Sequence, residues 1–284
     1  GGNLATARRE LAGAGTQTAG LSFGGSTGST SAVTEEYVEA GPSAIGVRPI
    51  GTAQSKSGTS LASTTSIQPA VGDYIITAVA ADTDVVGTLA MTDGTTVATL
   101  GTTTQPVTAT NSGNVVTSLN VARVTAIGSG ASTVTLSDLT SQAHAAAFYW
   151  VRGLTDTSPY DTGSTGTGSS ATPSSGASGT LAQADALVIG AVGTEGPGDD
   201  TAGTWTTGTS NVSGNEQRLG TTGGVSASNI TISSAAEIVA ATTAQTAAKS
   251  GITSRDWSAL VAVFKRAQAA NITGYWAMDG VIEA

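Results

Sequence analysis

The chain holds a single imidazole, His144, and so one side chain of the kind that ordinarily serves as a general base at neutral pH. It lies in the run AHAAAFYWV, where a period of two puts it on the face of Ala146, Phe148 and Trp150. That setting reads as a buried structural histidine. A Ser-His-Asp arrangement would need an activated serine, and no Gly-x-Ser-x-Gly elbow before a helix supplies one. Paired carboxylates could do acid–base work on sugars. The pairs are Asp82 with Asp84, Asp199 with Asp200, and Glu35 with Glu36. They fall at strand ends or in turns, where Asp is favoured by local hydrogen bonding, and they read as solvated turn residues. Asp82/Asp84 and the run Gly198-Asp199-Asp200-Thr201 offer the oxygen ligands that suit calcium, but without the EF-hand spacing. No cofactor, metal or catalytic residue is expected. GSTGTG at 163–168 has the glycines of a phosphate loop but neither its strand-to-helix context nor a Gly-Lys-Ser/Thr. Asn211, Asn229 and Asn271 each open an Asn-x-Ser/Thr triplet, as chance produces in a Ser/Thr-rich chain.

The elements that must position these residues are strands. Of 284 residues 11% are charged and 38 are Gly, so hydrophilicity comes from hydroxyls rather than charges. Thr and Val suit pleated sheets, and short side chains lose little entropy on ordering. This composition fits a rigid β protein better than an enzyme with a wet cleft. The net charge of −9 argues against nucleic acid, which asks for a basic surface. There is no cysteine, so disulfides and thiolate sites are excluded. No run reaches the roughly 18–20 apolar residues of a membrane span, so no membrane insertion is expected. Gly1 is read as a processing point or as the start of the ordered part of something longer.

Strand signals stand at 72–81, 85–91, 95–100, 115–127, 132–137, 143–152, 185–192, 226–232, 236–241 and 256–265, separated by Gly, Ser, Asp and Asn. Residues 235–248 are the best helical candidate by Ala content, though their Ile-Val pair also fits a strand. Sliding the chain against itself aligns Ala122–Gly153 with Ala236–Ala267 at a shift of 114 residues, and GDYIITAVA at 72–80 with ADALVIGAVG at 184–193. Two pseudo-halves, 44–153 and 154–267, follow one another. The join opens with a fixed turn at Thr157-Ser158-Pro159-Tyr160-Asp161, and 162–180 reads as a Gly/Ser loop over the surface. The expected fold is all-β: one two-sheet sandwich to which the halves contribute matching strands, flanked by an N-terminal arm, 1–43, and a C-terminal assembly tail, 268–284. In strand 72–81 the set Ile75, Thr77 and Val79 is too apolar for open water, which predicts a central or covered strand.

The first 40 residues, with Gly24, Gly25, Glu35, Glu36 and Tyr37 in place, resemble the kelch-like repeats of phage structural proteins; the aromatic residue that usually follows Tyr37 is missing. Residues 44–267 resemble a β-sandwich module of phage, prophage and bacterial surface proteins through GDYIITAVA, LTDTSPYD, QADALVIGAVGTEG and SRDWSALVAVFK. The resemblance implies a jelly-roll-like sandwich displayed on a virion exterior or extracellularly, without established catalysis. On that reading residues 1–40 are the last blade segment of an array before Gly1, and their strand edges pair with a neighbouring copy or with their own sandwich. Tyr275, Trp276 and Met278 in the tail add aromatic and apolar bulk of the kind that anchors interfaces. The expected partners are copies of the chain or other virion structural proteins. Host-surface glycans are an alternative ligand, and a bacterial filament or adhesin an alternative setting.

Overall fold

The computed structural model describes residues 12–15, 19–23, 34–38, 44–65, 69–83, 87–93, 99–126, 132–196, 203–221 and 229–268. The chain divides into two units, residues 1–43 with 267–284 and residues 44–266. In the first unit β1 (Ala12–Gly15), β2 (Ala19–Phe23) and β3 (Thr34–Val38) form an antiparallel sheet with β2 in the middle. Glu35, Glu36 and Tyr37 lie in β3, opposite Ser22, Leu21 and Gly20. Gly24, Gly25, Tyr275, Trp276 and Met278 lie outside the described residues.

The second unit is strand throughout its regular elements. Its first half carries β4 (Gly46–Ser55), β5 (Leu61–Thr65), β6 (Tyr74–Ala81), β7 (Thr88–Asp93), β8 (Thr99–Leu100), β9 (Thr108–Asn111), β10 (Val115–Ala126), β11 (Ser132–Ser137) and β12 (His144–Arg152). Its second half carries β13 (Tyr160–Ser170), β14 (Ser174–Ala177), β15 (Ala186–Glu195), β16 (Thr204–Trp205), β17 (Gln217–Gly220), β18 (Ile230–Val239), β19 (Thr246–Ser250) and β20 (Arg255–Phe264). The large sheet of the first half runs β4-β12-β6-β10-β8, with β9 also on β10, and its small sheet runs β5-β11-β7. The second half repeats this as β13-β20-β15-β18-β17 and β14-β19-β16. Counted within each half, with β8 and β9 sharing the fifth place, both large sheets read first-eighth-third-sixth-fifth and both small sheets second-seventh-fourth.

The four sheets stack as layers, because the central strands are apolar on both faces. Along β6, Tyr74, Ile76, Ala78 and Ala80 enter the core between the two large sheets, where they meet Leu187, Ile189, Leu260 and Phe264 of the second half. Ile75, Val79 and Ala81 point the other way, into a core closed by Leu61, Leu89, Met91, Val134 and Leu136 of the small sheet. The same alternation in β15 and β20 fills a third core under β14, β16 and β19. The covered strand expected from Ile75, Thr77 and Val79 is thus present, and the other half does the covering on the opposite face. The two-sheet sandwich stands at the centre of the unit. It differs from expectation in its division: each central sheet belongs wholly to one half, and a three-stranded sheet backs each.

The halves face each other like subunits of a symmetric dimer. β10 packs on β20 and β12 on β18; β10 packs on β15 and β18 on β6; β4 lies by β17 and β13 by β9. Each contact has its counterpart with the halves exchanged, the signature of an isologous interface. Polar pairs lock the register. Thr117 and Ser258 hydroxyls meet at 2.7 Å, the Tyr149 and Ser234 hydroxyls at 2.6 Å, and Gln217 Nε2 donates to the Phe148 carbonyl at 2.9 Å. Burial of the Tyr149 phenol pushes its pKa up to about 12.

Two expectations give way. Residues 235–248 are not a helix: they lie in β18, the turn after it and β19, with Ala235 and Ala236 fully buried where their small size lets flanking layers approach. Residues 162–180 are not a loop over the surface: they hold most of the edge strand β13, and β14. The small residues there are set by contact. A Cβ at Gly168 would stand 2.7 Å from the Trp257 ring, and one at Gly166 would strike the Ser174 carbonyl oxygen. The turn before them is fixed as expected. Ser158 has a φ of 50°, the Lys265 amide donates to the Pro159 carbonyl at 2.7 Å, and Arg123 bonds Asp156 at 2.8 Å.

Candidate functional site

The residues singled out for chemistry are not brought together. His144 is fully buried in β12, on the face of Ala146, Phe148 and Trp150, beneath the small sheet of the first half. Asp82 follows β6 and is partly buried, which pushes its carboxyl upward. Asp84, Asp199 and Asp200 lie outside the described residues. Glu195 ends β15, the strand equivalent to β6; burial raises its pKa, nearby Asp256 and Asp82 raise it further, and Arg255 opposes them. Among the described residues no three His, Cys, Asp or Glu side chains gather as a metal site. GSTGTG at 163–168 is extended strand, and Asn229 is fully buried, a position with no room for a glycan.

One buried charge carries no sequence motif. Lys249 is only 2% exposed, on the inner face of β19. Its Nζ donates to Ser233 Oγ at 3.0 Å, lies 3.5 Å from Glu216 Oε1 and sits 5.2 Å from the centroid of the Trp205 ring. Burial pushes the amine down, Glu216 opposes this, and Arg218 adds to the lowering. A desolvated amine is a stronger nucleophile than an ordinary lysine. Here its donors are spent on Ser233 and Glu216 under an indole roof, so it serves as an internal tie between the small sheet and β17 and β18. The signal was alternation: Ala247 and Lys249 share a face of β19, and Ala247 belongs to the core.

The other candidate is backbone. Each large sheet begins with an edge strand, β4 in one half and β13 in the other. An edge presents unpaired N–H and C=O groups to any chain that can reach them. β4 is guarded: it carries exposed Arg48 and Pro49, which has no N–H to give, and its register with β12 breaks at Phe148/Tyr149. In β13 the register breaks only near its start, between Tyr160 and Gly163. From Gly163 to Ser170 each residue pairs in turn with β20, from Ala262 to Arg255. Those eight residues, GSTGTGSS, contain no charge and no proline. Thr165, Thr167 and Ser169 point outward and are exposed, and Gly166 and Gly168 face β14 and Trp257. Asn111 of β9 bridges the seam between β13 and β20, donating to the Gly168 carbonyl at 3.2 Å and the Trp257 carbonyl at 3.3 Å, and beyond β13 no strand among the described residues pairs. Comparison of the chain with family models, curated protein sequences and solved structures returns no match.

Proposed function

We propose that the chain is a non-enzymatic structural subunit that assembles with copies of itself or fellow coat proteins on the exterior of a phage virion, as a fibre, decoration or tail-associated protein. The observation that carries this reading is the four-layer stack. Both faces of both central sheets are filled by packing, the polar side chains between the halves are spent on one another, and Ser/Thr/Gly strand edges are left for contact. Sheet edges join chains through backbone bonds and ask little of the side chains. The phage setting rests on the resemblance of 1–40 and 44–267 to virion proteins. The jelly-roll-like assignment rests on the first-eighth-third-sixth and second-seventh-fourth strand order, with the fifth strand in the larger sheet. Sedimentation velocity over a wide concentration range tests the reading. The full chain is expected to form discrete multimers, and residues 44–266 alone, which lack both terminal segments, smaller ones. A full chain that stays monomeric throughout overturns it.

A further inference from the structure

The edge that does the joining is identifiable. We infer that β13 is a self-pairing edge: two copies meet antiparallel through residues 164–170, centred on Thr167, and their five-stranded sheets become one sheet of ten strands. This rests on the assembly reading above and gives it a place and a symmetry.

Three observations single out β13 and a second copy as its occupant. The first is the missing guard. β4, its counterpart, carries Arg48, Pro49 and a register break, and β13 carries none of these from Gly163 to Ser170. The second is charge. With a net charge of −9, two copies repel over most approaches, but GSTGTGSS brings no charge into the seam. The third is self-complementarity. A two-fold axis at Thr167 sets Thr167 against Thr167, Thr165 against Ser169, and Gly166 against Gly168. Hydroxyls then face hydroxyls on the exposed side of the sheet, a favourable cross-strand pairing. Glycines face glycines on the covered side. Nothing in the stretch is larger than Thr, so no side chain holds the backbones apart.

The chain has no cysteine, so Thr167→Cys installs the only thiol. Directly opposed residues of an antiparallel pair stand about 4.5–5.5 Å apart at Cα, within disulfide range. Mild oxidation of the full-length T167C chain is expected to give a disulfide-linked dimer on a non-reducing gel. Ser57→Cys, on an exposed bend of the first half, is expected to give none. The double variant T165E/T167E places carboxylates along the seam and is expected to raise the dimer dissociation constant by at least about tenfold in sedimentation velocity. Mixing T167E with T167K restores association as a heterodimer. Circular dichroism confirms that these exposed-site variants keep their sheet content. If the full chain forms multimers that T165E/T167E leaves unchanged and T167C does not crosslink beyond S57C, the edge assignment falls and the assembly reading stands. If the wild-type chain is monomeric throughout, both fall.

Discussion

The two halves of residues 44–266 share a strand order but spend one equivalent core position in opposite ways. In the first half Leu136 pairs with Leu89 in the small sheet, and both enter an apolar core. In the second half the matching pair is Lys249 and Trp205. The same scaffold thus accepts a leucine pair or a tethered ammonium under an indole. The difference lies in the surroundings: Glu216, just before β17, and Ser233, on β18, stand ready. A buried charge is tolerated where its donors are met and its partner reaches water.

The sharpest way to break this comparison is to move the charge. Leu136→Lys places an ammonium in a core lined by Leu61, Leu89 and Met91 and is expected to cost about 3–5 kcal/mol. Chemical denaturation reads it, and a loss below about 1 kcal/mol would mean the first half supplies partners of its own. Next comes the covered side of β13. Gly168→Val drives a side chain against Trp257 and is expected to cost about 1–3 kcal/mol. The reverse swap, Lys249→Leu, is expected to be neutral or to stabilise by about 1 kcal/mol at neutral pH. Its pH dependence has a definite sign. The folded pKa lies below the unfolded 10.5, so over that interval the unfolded chain binds the extra proton. Wild-type stability from this group therefore rises with pH between its lowered folded pKa and 10.5. The advantage of Lys249→Leu shrinks over the same range, and a gap that widens instead contradicts the assignment. Tyr149→Phe removes the hydroxyl bond to Ser234 between the halves and is expected to cost about 1 kcal/mol. In the wild type, absorbance titration is expected to find this phenol ionising late, at a pKa of about 12 because it is buried. Smallest of all, Thr167→Val on the exposed side of β13 stays within about 0.5 kcal/mol, against the larger loss for its neighbour Gly168.

What could be read from the sequence follows burial. β6, β10, β12, β15 and β20 announce themselves as apolar runs because both of their faces are packed. The duplication is visible for the same reason, since matching cores demand matching runs. β4, β5, β13 and β14 gave no such signal. They lie at sheet edges, where one neighbour is missing and small polar residues suffice, so GSTGTGSS has the composition of a linker and the structure of a strand. Its alternation of Thr at 165 and 167 with Gly at 166 and 168 was the readable clue. Lys249 was hidden by phase. A shift of 114 lays it over Thr135, on the outer side of β11, whereas in the structure it occupies the place of Leu136. In a strand one residue of slip turns a side chain from water to core. The face of His144 is legible because its own run fixes the phase.

The three-stranded sheets also limit growth. They close the stack above and below, so residues 44–266 have a fixed thickness. Four backbone layers at about 10 Å spacing span roughly 30 Å, and β11, the middle strand of one small sheet, turns Thr133, Thr135 and Ser137 outward. An array joined at its strand edges extends sideways as a ribbon or plate of that depth, and adding copies makes it wider without making it thicker.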